Sequence, residues 1–199
     1  MTGTAHKRRD ALANRDRILD AARDALVADS AASLNAIAKA AAVGPGTLYR
    51  HFPSRDALVV AVYRKEIDDL VALAPALLAQ HPPGKAFQRW CDRLAQSGRT
   101  KHAVAAALDS VITAQDTAQA LRPILAAVRE LIAASVASGD IRTTLDAEEF
   151  LTLIGFVWRV PPDAQGKARV KKLLRFVFQG LRGGQKGFRM CVNRLDGRL

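Results

Sequence analysis

Pro45 and Pro53 enclose the stretch that most constrains how this chain can fold. Ahead of them, Leu34, Ile37, Ala38 and Ala41 recur at i, i+3, i+4 and i+7, the spacing of one buried face of a short helix. Ser33 precedes that run, where a hydroxyl can cap free amides. Ala42-Val43-Gly44 follows as a turn. Pro45 can open a second helix at no hydrogen-bonding cost, because an amide there has no intrahelical acceptor. Gly46-Thr47-Leu48-Tyr49-Arg50-His51-Phe52 then forms about two turns, with Leu48 and Phe52 facing inward. Pro53 forbids continuation, and Ser54 is placed to cap the next helix. Two helices joined by so short a turn, the second carrying hydroxyls and bases outward, make a helix-turn-helix.

The run from Gly46 to Phe52, followed by Ser54-Arg55-Asp56-Ala57-Leu58, resembles the signature of the TetR family of bacterial transcriptional regulators. Residue types, punctuation and spacing agree together over residues 15–63; beyond them the likeness is one of length and helical pattern. The resemblance implies a sequence-specific DNA-binding regulator, a repressor that binds a palindromic double-stranded operator as a homodimer and is released by a small-molecule effector. The alternative is an effector-free helical scaffold that associates with DNA or with protein partners.

The rest of the chain agrees with a helical regulator. Its 199 residues suit one or two domains, and with 49% apolar residues but only 6% aromatic ones, Ala, Leu and Val must carry the packing. No apolar run approaches the roughly 20 residues needed to span a bilayer. The N-terminal charges have no apolar stretch behind them, so no secretory signal is read there. Cys91 and Cys191 lie far apart without a CxxC, which argues against a disulfide framework or a zinc site. A cytoplasmic protein without metal or cofactor is expected. GxSxG, HExxH, GxxxxGK[ST] and GxGxxG are all missing, so no enzyme is read here. Charge is uneven: residues 1–65 hold 11 Lys+Arg against 6 Asp+Glu, residues 66–163 hold 9 against 12, and residues 164–199 hold 10 against 1. A basic first third beside an acidic middle fits a nucleic-acid reader joined to a domain that does not touch phosphate.

Helical periodicity runs almost throughout, so the fold expected is all-α: a three-helix N-terminal domain and a larger C-terminal helical domain, about nine helices in all. Residues 1–14 read as a flexible arm, and a first helix spans Arg15–Asp29. The DNA-binding domain covers 15–63, with its fourth helix running on to Leu73 before Pro75. An effector and dimerisation domain covers 74–182, with helices at 85–97, 101–113, 117–138 (split or kinked at Pro123), 146–160 and 166–182. Residues 183–199 read as a flexible basic tail.

Pro45, Gly46 and Thr47 lead the second helix into a major groove; Gly46 has no side chain to hold it away, and Thr47 offers a hydroxyl to phosphate and a methyl to thymine. Arg50 reaches base edges or phosphate. The resemblance implies that Tyr49 and His51 grip phosphates and that Arg55 fills a backbone-contacting position usually held by Lys. Ser33 and Lys39 complete the DNA-binding set. The chain departs from the family in having Ala42 where the turn usually carries Gly, and Gly44 where the cap is usually Ser. Phe87, Trp90, Cys91 and Leu94, faced by Leu108, Ile112, Leu125, Val128 and Trp158, are the candidate walls of a pocket for an apolar or aromatic effector. The family's four-helix dimer seam maps onto Phe150, Ile154, Val157, Trp158, Val170, Leu174, Val177 and Phe178. Gly155 is read as permitting close approach there, with Lys171, Lys172 and Arg175 at its exposed edge, in solvent or against Asp146, Glu148 and Glu149.

Overall fold

The computed structural model describes residues 3–109, 113–161 and 163–183. Among them the chain forms eight α-helices, one 3-10 turn and no strand, so the all-helical expectation holds. The helices are α1 (Gly3–Ala28), α2 (Leu34–Ala40), α3 (Pro45–His51), α4 (Arg55–Gln80), α5 (Pro83–Asp109), α6 (Ala114–Ala137), α7 (Ala147–Leu153) and α8 (Ala164–Gly183), with the 3-10 turn at Gly155–Trp158.

Several boundaries differ from the sequence reading, mostly because helices continue where they were expected to stop. The N-terminal arm is helical from Gly3, and residues 4–28 contain neither Pro nor Gly to interrupt it. Pro75 lies inside α4 and Pro123 inside α6, both exposed, and neither ends its helix. Each proline removes one helical hydrogen bond, but a solvent-facing ring leaves the freed carbonyl to water. The expected break at Ser97-Gly98 is absent: α5 passes through with Gly98 buried. The opposite holds for residues 146–160, where α7 stops at Leu153 and a 3-10 turn starts at Gly155, a residue of low helix propensity.

Packing divides the chain into two units, Met1–Asp69 with Gln96–Leu121 and Leu70–Ala95 with Arg122–Leu199. This departs from a boundary at 74, because the second half of α5 packs in the first unit. There Leu108 joins Leu26 and Val59 in a small cluster flanked by Val60 and Tyr63, and burial pushes the Tyr63 hydroxyl pKa up. Leu108 is therefore not part of the cluster that holds the other candidate pocket residues, and Ile112 lies outside the described residues. The main core of the first unit sets Ile18, Leu19 and Ala22 of α1 and Leu58 and Val62 of α4 around Ile37, Ala38, Leu48 and Phe52.

The second unit is organised by Phe87, whose ring lies 4.8 Å from that of Phe150 and 5.2 Å from that of Phe178 in an edge-on contact. Trp90 is fully buried and donates its indole N–H to the Leu70 carbonyl at 2.8 Å. Cys91, Leu94, Leu125 and Val128 are buried in the same cluster, with Trp158 packed against it. Asp146 and Glu149 form a reciprocal capping box on α7. Gly84 sits against Asp140, which accepts its amide at 2.8 Å; that bond and the Ser138 hydroxyl hold the Asp140 carboxyl below its ordinary pKa. A Cβ at Gly166 would stand 1.8 Å from the Pro161 carbonyl oxygen, so α8 can start here only with glycine.

The residues expected at a dimer seam are largely packed within this unit. Phe150, Ile154, Val157, Leu174 and Phe178 are buried in the subunit's own core, with Val170, Val177 and Trp158 half-buried against it. The apolar stripe of α8 faces inward. Phe176, two residues or about 200° from Phe178 around the helix, is 58% exposed. Among the described residues, a Cβ at Gly155 would meet no atom within 4 Å. Lys171, Lys172 and Arg175 are exposed, and among the described residues no ion pair joins them to Asp146, Glu148 or Glu149.

Candidate nucleic-acid interface

The turn between α2 and α3 closes by a Schellman motif. The Val43 amide bonds the Ala38 carbonyl at 3.0 Å and the Ala42 amide bonds the Lys39 carbonyl at 3.1 Å, which satisfies two orphan acceptors of α2. The hydrophobic contact that usually accompanies this motif is present, since Val43 packs on the cluster containing Ala38. The motif requires a left-handed residue after the C-cap, and Ala42 takes φ of 53°. The departure seen in the sequence is thus a strained position.

Gly44 caps α3 with φ −68° and ψ 147°; it has no side chain to offer a cap, and its carbonyl accepts the Thr47 and Leu48 amides at 2.9 and 3.2 Å. A Cβ at Gly44 or Gly46 would meet nothing within 4 Å, so neither glycine answers to packing inside the chain. The surface in front of α3 is open to close approach.

Leu48 and Phe52 anchor α3 in the core, which fixes what the other face presents. Tyr49 is 48% exposed and Arg50 is exposed; Thr47 and His51 are half-buried. Arg50 folds back along its own helix, with Nε donating to the Gly46 carbonyl and Nη2 to the Thr47 hydroxyl, both at 3.2 Å. The side-on edge of the guanidinium is thereby occupied. Ser33 is the N-cap of α2, its hydroxyl accepting the Ala36 amide at 3.2 Å, while Lys39 is exposed in the last turn. The Arg15 guanidinium lies 5.4 Å from the Phe52 ring centroid, beside the end of α3.

Arg55, which the resemblance implies as a backbone contact, is engaged within the chain in this structure. Its two terminal nitrogens donate to the carbonyls of Ser30 and Ala32 in the α1–α2 connection. Sequence reasoning also missed a charged cluster joining α1 to α4. Glu66, only 5% exposed, meets Arg23 at 3.7 Å; Arg23 also meets Asp20 and Asp24, and Lys65 meets Asp69 at 3.1 Å and Asp20 at 3.9 Å. Burial opposes the charge on Arg23 and Lys65, but the surrounding carboxylates carry both pKa values up. Within this cluster the Lys65/Asp69 and Asp20/Arg23 pairs have spacings that a helical sequence can show.

Comparison with known proteins places this geometry. The profile for bacterial regulatory proteins of the tetR family matches residues 18–62, and that for the C-terminal domain of SbtR-like transcriptional regulators matches residues 82–183. The HTH-type transcriptional regulator UidR of Escherichia coli K12 is 40% identical over 65 residues, a match that spans 32% of this chain and 33% of UidR. A TetR transcriptional regulator from Streptomyces coelicolor superposes with a TM-score of 0.77 at 34% identity, over 84% of this chain and 98% of that one. A TetR regulator from Mycobacterium vanbaalenii gives 0.74 at 31% identity, over 88% and 98%. No helix among the described residues is long and apolar enough to cross a membrane. With its helix-turn-helix, its all-helical fold and matches across both halves, the chain belongs to the TetR family of bacterial transcriptional regulators, DNA-binding proteins rather than enzymes.

Proposed function

We propose that this chain is a repressor that binds a palindromic operator as a homodimer, one α3 in each of two successive major grooves, and leaves it when a small apolar or aromatic molecule binds. The observation that carries the DNA-reading half is the outward surface of α3, where Gly46 keeps the backbone bare and Thr47, Tyr49 and Arg50 stand beside it. Arg50 is the base reader: buttressed by Gly46 and Thr47, its free edge suits the paired acceptors of guanine. Tyr49, His51 and Lys39 grip the phosphate backbone, which sets register without reading sequence.

The dimer face is proposed on the outer side of α8. Phe176 shares that side with half-buried Leu173 and with Gly180, where a Cβ would meet nothing and a second helix can come close. Leu153, 47% exposed at the end of α7, supplies further apolar surface. The effector reading rests on the aromatic core around Phe87 and Trp90. A ligand there must part rings now in contact, so it stabilises a minor conformer, and about 100-fold preference for that conformer shifts the balance by about 2.7 kcal/mol. The contact between Phe87 and both Phe150 and Phe178 also favours the alternative of an effector-free regulator.

Selection of bound duplexes from a randomised library by the purified full-length protein tests the first half. A two-fold symmetric site with half-sites about one helical turn apart is expected; no enrichment, or a single asymmetric half-site, refutes it. Screening apolar compounds for thermal stabilisation together with release of that duplex tests the second half. If no compound does both, the effector-free reading stands.

A further inference from the structure

We infer that Arg55 is a positioning residue that closes the helix-turn-helix on itself, and not a contact to the DNA backbone; its functional part rests on the DNA-reading proposal above.

The chain reaches α2 through the connection after α1 and leaves α3 through Pro53 and Ser54. Within that connection the amides find partners close by: Ala31 bonds the Asp29 carboxylate at 2.9 Å and Ala32 the Asp29 carbonyl at 3.0 Å. The carbonyls of Ser30 and Ala32 accept instead from Arg55, one from each terminal nitrogen. Ala32 immediately precedes Ser33, the N-cap of α2, and Arg55 immediately follows Ser54, whose hydroxyl accepts the Ala57 amide at 3.1 Å and whose carbonyl accepts the Leu58 amide at 3.2 Å. One guanidinium therefore ties together the two caps that bracket residues 33–54, the whole of the motif. Only a planar fork spans two carbonyls two residues apart; an ammonium keeps the charge but not that geometry.

The two roles separate by experiment. A phosphate contact survives Arg55→Lys, and its loss in Arg55→Met lowers the slope of log affinity against log salt by about 0.9. A positioning residue loses its function in both variants, with the salt slope of Arg55→Lys unchanged. The assay measures binding of the full-length protein to a duplex it has itself selected from a random library, and to a scrambled duplex, across salt concentrations. We expect both variants to bind the selected duplex about ten-fold more weakly, about 1.4 kcal/mol, with scrambled-duplex binding by Arg55→Lys unchanged, so that the specificity ratio falls. A general loss of stability would not move that ratio in the protein that remains folded. Hydrogen exchange at the Ala31, Ala32 and Ala36 amides should quicken in Arg55→Lys. Full affinity in Arg55→Lys, or unchanged binding in both variants, overturns the inference. If the unmodified protein selects no duplex, the DNA-reading proposal fails; exchange at those amides then decides alone, and unchanged rates refute the clamp.

Discussion

Replacing Ala42 with Gly should stabilise the first unit, since glycine is the residue favoured at the left-handed position after a helix C-cap. Ala42 holds φ of 53° because the Schellman motif closing α2 demands a left-handed residue there. An L-residue in that region costs about 1–2 kcal/mol. Glycine removes that cost but brings its own extra unfolded-state entropy of about 0.5–1 kcal/mol. Ala42 is exposed, so little packing is lost with its methyl group. The balance is a gain of about 0.5–1 kcal/mol, which for a domain of up to about 100 residues raises the melting temperature by roughly 2–8 °C. Ala42→Val is the control, since a β-branched residue at positive φ should destabilise by at least as much as Gly stabilises. Thermal and urea unfolding, followed by a signal confined to the first unit, reads the effect. If Gly is neutral or worse, or if Val matches Ala, the turn does not hold the strained geometry and the reasoning fails.

Phe176→Asp should give monomers that stay folded, whereas Phe178→Asp should unfold the second unit, because only Phe178 is buried against Phe87; sedimentation beside circular dichroism checks both, and a dimer surviving Phe176→Asp moves the seam elsewhere. Six basic and no acidic residues lie in α8, so subunit association should tighten as salt rises while operator binding weakens; titrations in which both move the same way contradict the α8 face. Gly166→Ala should cost about 3 kcal/mol or more in the second unit through collision with the Pro161 carbonyl, and a wild-type urea midpoint would show that the loop yields freely. Arg50→Ala should relax preference at one guanine of each half-site by about 1–3 kcal/mol; an equal loss on every sequence would make Arg50 a phosphate contact.

The helix-turn-helix was legible because its limits are set by local chemistry. Ser33, Pro45 and Pro53 act on their own neighbours, and α2 and α3 fall between them. Pro75, Pro123 and Gly98 carry the same signals yet stop nothing, because tertiary packing over long helices outweighs a locally poor residue. Side-chain partners far along the chain leave no such local signal. Nothing near Arg55 in the sequence announces its bonds to the carbonyls of Ser30 and Ala32. Phe178 and Leu174 had the right period for a packed face, but periodicity does not say whether that face meets the subunit's own core or a second chain.

The turn at the centre of the motif is poorly stabilised by its own residues. Ala42 is strained, and Gly44 caps α3 without a hydrogen-bonding side chain. Its geometry must then be held from outside, by the anchors Leu48 and Phe52, by the Arg55 fork and by the charged cluster on α1 and α4. Glu66 is informative in this respect. A nearly buried carboxylate is rarely worth its desolvation as a source of stability, but with Arg23 it admits only one register of α4 against α1. Removing Arg23 alone takes a counter-ion from a nearly buried carboxylate, which is destabilising, whereas replacing both with apolar residues of similar volume costs less. The double substitution should therefore fold well yet discriminate less sharply between its selected duplex and a scrambled one, since the register that aims α3 would no longer be unique. Retained discrimination in a stable Arg23→Leu/Glu66→Leu protein would show that the apolar core alone sets the aim of the recognition helix.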